Sequence, residues 1–124
     1  MAPWASVGAI REAQDDVERM VAAYRDRMEY VYGELSAMPY ISVNKPQGAF
    51  YFLMDVRPAL GKKLDGITLD TDVAFCDRLL EHGVGMVPGS AFMAPGFVRM
   101  SYATSTDMLR EAMALVRSFL KKLR

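Results

Sequence analysis

Apolar residues recur at steps of three and four through the first third of the chain. Val17, Met20, Val21, Tyr24, Met28, Val31, Tyr32 and Leu35 draw one stripe, which predicts a long amphipathic helix. The pattern reaches back to Ala5, with a bend or break near Gln14. Asp15, Asp16 and Glu18 lie near the start of the main stripe, where the helix dipole favours negative charge. Pro39 limits its end, because the residue before a proline avoids helical torsions. The period then changes from helix to strand. Tyr40 to Asn44 alternates and predicts a short strand, and Lys45-Pro46-Gln47-Gly48 is turn chemistry. From Ala49 to Val56, Phe50, Phe52, Met54 and Val56 fall on one face and Ala49, Tyr51 and Leu53 on the other. Both faces are apolar, so both are expected to be covered.

Pro58 to Thr68 is expected to be a loop rich in Gly and Lys. Asp70 or Thr71 can cap a second helix with the stripe Val73, Cys76, Leu79 and Leu80, and Gly83 suits the position just past its end. Two strands follow, one ending at Pro88-Gly89 and one carrying Arg99. Thr104 or Ser105 caps a last helix with the stripe Leu109, Ala112, Met113, Val116, Phe119, Leu120 and Leu123. The order helix, strand, strand, helix, strand, strand, helix predicts an α+β fold. Its sheet would be small, antiparallel or mixed, of about four strands, with helices packed on one face.

Composition narrows the chemistry. The 124 residues suit one domain. Fifteen basic and fifteen acidic residues cancel, and no basic stripe is visible, so nucleic acid is not an expected partner. One cysteine, Cys76, gives no intrachain disulfide and no cysteine metal site; it reads as a buried small hydrophobe. One histidine, His82, rules out a histidine-rich metal site and is explained by its place at a helix C-terminus. The start, Met1-Ala2-Pro3-Trp4, lacks the basic and apolar regions of a leader, and no run is long enough to span a membrane. A reduced, cytoplasmic protein is the expectation.

Arg99 stands out because it is a fixed charge among apolar strand residues expected to be buried. Its planar fork suits a carboxylate better than any other side chain does. From spacing alone, three fates are open: a carboxylate clamp, a pair with a nearby Asp, or a side chain reaching along the strand edge to water. Asp55 can pair with Arg57 or cap a turn and receives no chemistry. Gly48, Gly89 and Gly96 read as turn residues tolerating positive φ. Tyr51 and Tyr102 are either polar handles near a site or packing residues.

Four blocks together carry a resemblance that none carries alone. Pro46-Gln47-Gly48-Ala49-Phe50-Tyr51 resembles the P-x-G-A-F-Y segment of class I/II (fold-type I) pyridoxal-phosphate-dependent aminotransferases. The run from Gly83 through Pro88-Gly89 to Phe92 is similar to that family's G-V-x-x-x-P-G-x-x-F. Gly96 to Ala103 is similar to its G-x-x-R-x-S-x-A, and Tyr24-Arg25-Asp26-Arg27-Met28 to its Y-x-x-R-R-D helix. Met93 departs from the family's frequent Gly after the Phe, so a differently shaped loop is expected there; Met28 is a surface variation.

The resemblance implies that residues 1–124 are a single domain, the family's C-terminal small domain, with the large cofactor-binding domain absent from this sequence. Arg99 would bind the substrate's α-carboxylate, and Pro88, Gly89, Phe92 and Gly48 would shape the site. No catalytic, cofactor-binding or metal residue is assigned within the chain. Pyridoxal 5'-phosphate would serve the full-length parent and is not expected to bind this chain alone, whose lysines (Lys45, Lys62, Lys63, Lys121 and Lys122) all sit in turn, loop or helix-end settings. The implied partners are an amino acid or 2-oxo acid substrate, the large domain, and a second copy in a parental homodimer. Two alternatives stand beside this: a free-standing small-carboxylate-binding or regulatory module, and a purely structural fragment.

Overall fold

The computed structural model describes residues 2–124; Met1, the first residue of the stretch tested for a leader, lies outside them. The N-terminal helical pattern forms two helices, α1 (Ala2–Glu12) and α2 (Gln14–Ser36), and the expected break falls at Ala13. Only the C-terminal half of the α2 stripe is covered. Val31 and Leu35 are fully buried, whereas Val17, Met20 and Val21 are exposed. The packing partners of α2 are α1, β1 (Ser42–Val43) and α4 (Thr106–Lys122), and its residues Val17, Met20 and Val21 still face solvent.

The predicted strand over 40–44 shrinks to β1, because Tyr40 takes a left-handed φ of 64° and cannot extend the ladder. The strong strand becomes β2 (Tyr51–Asp55). The expected loop over 58–68 holds more structure: a 3₁₀ turn at Arg57–Ala59, then a small hairpin of β3 (Lys63–Leu64) and β4 (Ile67–Thr68) turning at Asp65-Gly66. Next come α3 (Asp72–Glu81), β5 (Val87–Pro88), a 3₁₀ turn at Gly89–Phe92, β6 (Phe97–Ser101) and α4. Thr71 and Ser105 are the caps: their side chains accept from Ala74 N and Met108 N.

The main sheet has the order β1-β2-β6-β5 and is antiparallel throughout. The fold is therefore α+β, as the element order predicts. Phe52 and Met54 of β2 and Val98 and Met100 of β6 turn to the helices and join Phe75, Leu109, Met113 and Phe119 in the core. The other face departs from expectation. Tyr51 and Leu53 are exposed, so the sheet is covered on one side and open on the other.

The α3 stripe is also rotated from the predicted one. Phe75, Cys76 and Leu79 are buried together with Asp72, while Val73 and Leu80 face solvent. Positions 72, 75, 76 and 79 form one helical face. The apolar count alone drew the line one residue off, because an Asp in a first helical turn reads as solvated. Cys76 is buried as expected, and burial pushes its thiol up to about 12. His82 follows the end of α3, its Nδ1 3.0 Å from the Arg78 carbonyl oxygen and its ring edge-on to Phe119. No helix of the described residues is long and apolar enough to cross a membrane.

Candidate functional site

The open face of the sheet is set by strand register. Tyr51 lies opposite Ser101, Leu53 opposite Arg99 and Asp55 opposite Phe97, while Val87 of β5 flanks Arg99 on its other side. Alternation puts all of these residues on one face. Arg99 therefore sits at the centre of the open face, exposed rather than in the interior where its apolar neighbours suggested it would be. Its guanidinium carbon lies 5.3 Å from the Phe92 ring centroid and 5.6 Å from that of Tyr51. Each such contact contributes about 0.5–1 kcal/mol at an exposed site. Together they restrict a side chain that would otherwise sample many rotamers.

Two arginines approach this face, and their electrostatics differ. Arg57 donates from Nε and Nη2 to the Asp55 carboxylate at 2.9 and 2.6 Å, and also lies over the Phe97 ring. The Arg57 hydrogen bond holds the Asp55 carboxyl below its usual range. Arg99 has no such partner: among the described residues, no carboxylate is ion-paired with it. Asp55, the nearest candidate by register, is already committed to Arg57. This removes the open possibility of an Arg99–Asp pair. What remains is a positioned, solvent-facing fork with its donors free.

Phe92 reaches Arg99 from the 3₁₀ turn that follows β5, and that turn is tightly determined. A Cβ at Gly89 would run into the Ala94 carbonyl oxygen and lie 2.7 Å from that of Phe97. Gly89 is thus required by close backbone approach, not by the positive φ expected of it. Of the three glycines expected to need positive φ, only Gly96 has one, at 81°. Met93 adopts the left-handed conformation (φ 64°) that glycine takes freely, with its side chain almost wholly in solvent.

Pro88 and Gly89 lead directly into this turn, and Phe92 touches Arg99, so the structure brings these three to the Arg99 region. It does not bring Gly48 there. Gly48 lines a separate cavity of about 360 Å³ between α2 and the 46–50 turn, walled by Tyr24, Met28, Phe50 and Tyr102, and Arg99 is not part of its lining. Tyr102 is buried, and its hydroxyl donates to the Ala49 carbonyl at 2.8 Å, a structural tie.

The pattern of apolar and polar positions missed Asp72. The residue is 3% exposed, and its carboxylate accepts from Ser90 N at 2.7 Å and from Ser90 Oγ at 2.6 Å, which ties the start of α3 to the turn that carries Phe92. Burial pushes this carboxyl up, but the Ser90 hydrogen bonds, with backbone N–H groups of Gly96 and Asp72 itself, outweigh it and hold the group below its usual value. The available signal was an Asp one residue past the cap, in register with Phe75, Cys76 and Leu79. Among the described residues, no cluster of three His, Cys, Asp or Glu is placed to hold a metal ion.

A family model described as aminotransferase class I and II matches residues 1–116. The chain belongs to this family. The aspartate aminotransferase of Bacillus sp. (strain YM-2) is 42% identical over 119 residues, which is 95% of this chain and 29% of that protein. The crystal structure of the aspartate aminotransferase from Rhizobium meliloti superposes with a TM-score of 0.92 at 36% identity, covering 97% of this chain and 30% of that one. An aspartate aminotransferase from Thermus thermophilus, solved with maleate, superposes with a TM-score of 0.81 at 37% identity over 94% of this chain and 29% of its own. The chain therefore spans less than a third of the length of these relatives.

Proposed function

We propose that this chain is the C-terminal small domain of a pyridoxal-phosphate-dependent aminotransferase, and that Arg99 receives the substrate's α-carboxylate there. The full protein would move an amino group from an amino acid to a 2-oxo acid, as a cytoplasmic homodimer. The observation that carries this reading is Arg99 itself: a guanidinium held between Phe92 and Tyr51 on an open face, with no ion-paired carboxylate among the described residues. Each charge-assisted hydrogen bond to an incoming carboxylate contributes about 1.5–3 kcal/mol. The Thermus relative's maleate, a dicarboxylate, supports a carboxylate ligand for proteins of this kind.

Pyridoxal 5'-phosphate, the cofactor the family implies, supplies the electron sink for amino transfer. The face that carries Arg99 does not fit as its seat. None of the four strands that carry the Arg99 face contains a lysine, and Lys45, for one, is paired with Glu29 at 2.5 Å. The role left to this chain is positioning: Arg99 fixes one end of the substrate and thereby the direction of its reacting bond. By itself the chain is expected to be inactive.

Two measurements test this. In the complete protein that contains the chain, Arg99→Ala should lower kcat/KM for the amino acid by roughly 10² or more, the loss of a bidentate charged pair. Unchanged kcat/KM would overturn the assignment. Incubated alone with pyridoxal phosphate and amino acids, the chain should give no turnover and no borohydride-trapped adduct at one particular lysine. Specific turnover would sink the reading.

The pre-arranged state of Arg99 without any other domain favours a second reading, a free-standing carboxylate-binding module. Calorimetry with maleate separates the two. Saturable micromolar binding by the isolated chain, abolished by Arg99→Ala, would establish the module.

A further inference from the structure

We propose that Asp72 is the positioning residue for Arg99: by clamping Ser90 it fixes the 3₁₀ turn that lays Phe92 against the guanidinium. This rests on the reading of Arg99 as the carboxylate receptor. The chain of contacts is short. Asp72 occupies the first turn of α3, directly after the Thr71 cap, and its side chain turns inward instead of to water. Both carboxylate oxygens are used: Oδ1 accepts from Ser90 Oγ at 2.6 Å and Oδ2 from Ser90 N at 2.7 Å. Two residues later Phe92 closes the same turn and meets Arg99 with its ring.

The turn has no comparable freedom elsewhere. Ala94 N donates to the Gly89 carbonyl at 2.9 Å, Val56 N donates to that of Gly96 at 3.0 Å, and Gly89 has no room for a side chain. The segment from Gly89 to Gly96 is thus closed on itself at Gly89–Ala94 and fastened at Gly96 to Val56. The β5–β6 ladder and the Val56 bond hold the two ends of the segment, and its middle, at Ser90, is attached to α3 by Asp72, which supplies the charged part of that attachment. A buried carboxylate that accepts from Ser90 through both oxygens, with further support from the Gly96 backbone, defines an orientation that an apolar contact would leave free to slide. Tyr51, by contrast, is held by the β2–β6 ladder and needs no latch. Losing Asp72 therefore removes one wall of the Arg99 sandwich and leaves the other.

Side-chain NMR of the 124-residue chain tests this without any ligand. The Nε–Hε and δ-methylene resonances of Arg99 should carry ring-current shifts from Phe92 and Tyr51. Asp72→Asn should move them partway toward random-coil values at temperatures well below unfolding. Ser90→Ala, which keeps the backbone bond and loses the hydroxyl, should move them less, and Ser90→Thr should restore them. A purely structural role would lower the melting temperature and leave the Arg99 resonances in place. If both Asp72→Asn and Ser90→Ala fold and neither moves those resonances, the proposal is overturned. If Asp72→Asn does not fold, the milder Ser90→Ala decides.

The failure of this proposal is separable from that of the carboxylate reading. In the complete protein, Asp72→Asn should raise KM for the amino acid, by up to about 10²-fold for a misplacement near 1 Å, with a smaller effect than Arg99→Ala. Shifted Arg99 resonances with no effect of Arg99→Ala on kinetics would keep the latch and remove the carboxylate role. A strong Arg99→Ala effect with unmoved resonances in the latch variants would do the reverse.

Discussion

At the scale of single residues, Arg99 shows how strand alternation overrides a reading from neighbours: it was expected to be buried, and it is exposed. A lone charge between Val98 and Met100 reads as a candidate for a task, and among the described residues no carboxylate is ion-paired with it. The picture of a buried arginine fails because alternation along β6 buries Val98 and Met100 and turns Arg99 outward. Sequence could not say whether Asp55 would pair with Arg99 or Arg57; that followed from register and from the fold-back of Arg57 onto its near neighbour. Gly89 offers a direct residue-scale test. Gly89→Ala forces a Cβ against two carbonyl oxygens, so it should destabilise by the upper end of the ~1–3 kcal/mol typical of overpacking, seen as a lowered midpoint in denaturant unfolding. A midpoint equal to that of the parent chain would contradict the close approach. Gly48, with open space where its Cβ would go, carries no such constraint.

At the scale of elements, helix ends and stripes were the most legible features. The break between α1 and α2, the Thr71 and Ser105 caps and the α4 stripe all follow from chemistry within one or two turns. The inward face of α3 did not, because its decisive partner, Ser90, lies 18 residues away. That face has a consequence for pH dependence. Asp72 and Asp55 both have carboxyls held below the ordinary 3.8, the first against burial by its Ser90 hydrogen bonds, the second by Arg57. A carboxyl depressed in the folded state adds stability that is present above the unfolded value and is lost as pH falls through the folded one. Melting temperature should therefore fall with acidification below about 3.8, the unfolded-state value. Asp72→Asn should lower stability near neutral pH and flatten this acid limb. An acid limb of unchanged steepness in that variant would exclude Asp72 as a contributor.

At the scale of the whole molecule, the open sheet face and the α1–α2 surface leave much apolar area in water. Tyr51, Leu53 and Phe92 are exposed around the face, Phe50 lies beside Tyr24 of α2, and Trp4, Ile10, Met20 and Val21 are exposed along the helices. Patches of this kind drive association. The chain is expected to self-associate as its concentration rises, which sedimentation velocity would register as a growing sedimentation coefficient. A clean monomer at high concentration would count against this. The same exposure accords with a chain that spans under a third of its relatives' length.

Sequence by itself determined the α+β class, the placement of most helices and strands, the caps, and four motif blocks whose order points to the aminotransferase family. These depend on interactions between residues a few positions apart, so they are written into local periodicity and turn chemistry. Only the tertiary structure decided which sheet face stays open, which way α3 turns, that Arg57 rather than Arg99 takes Asp55, and that Asp72 holds the turn behind Phe92. Each of those depends on register or on contacts between distant segments. No local pattern encodes them, because the competing arrangements differ only after the chain has closed.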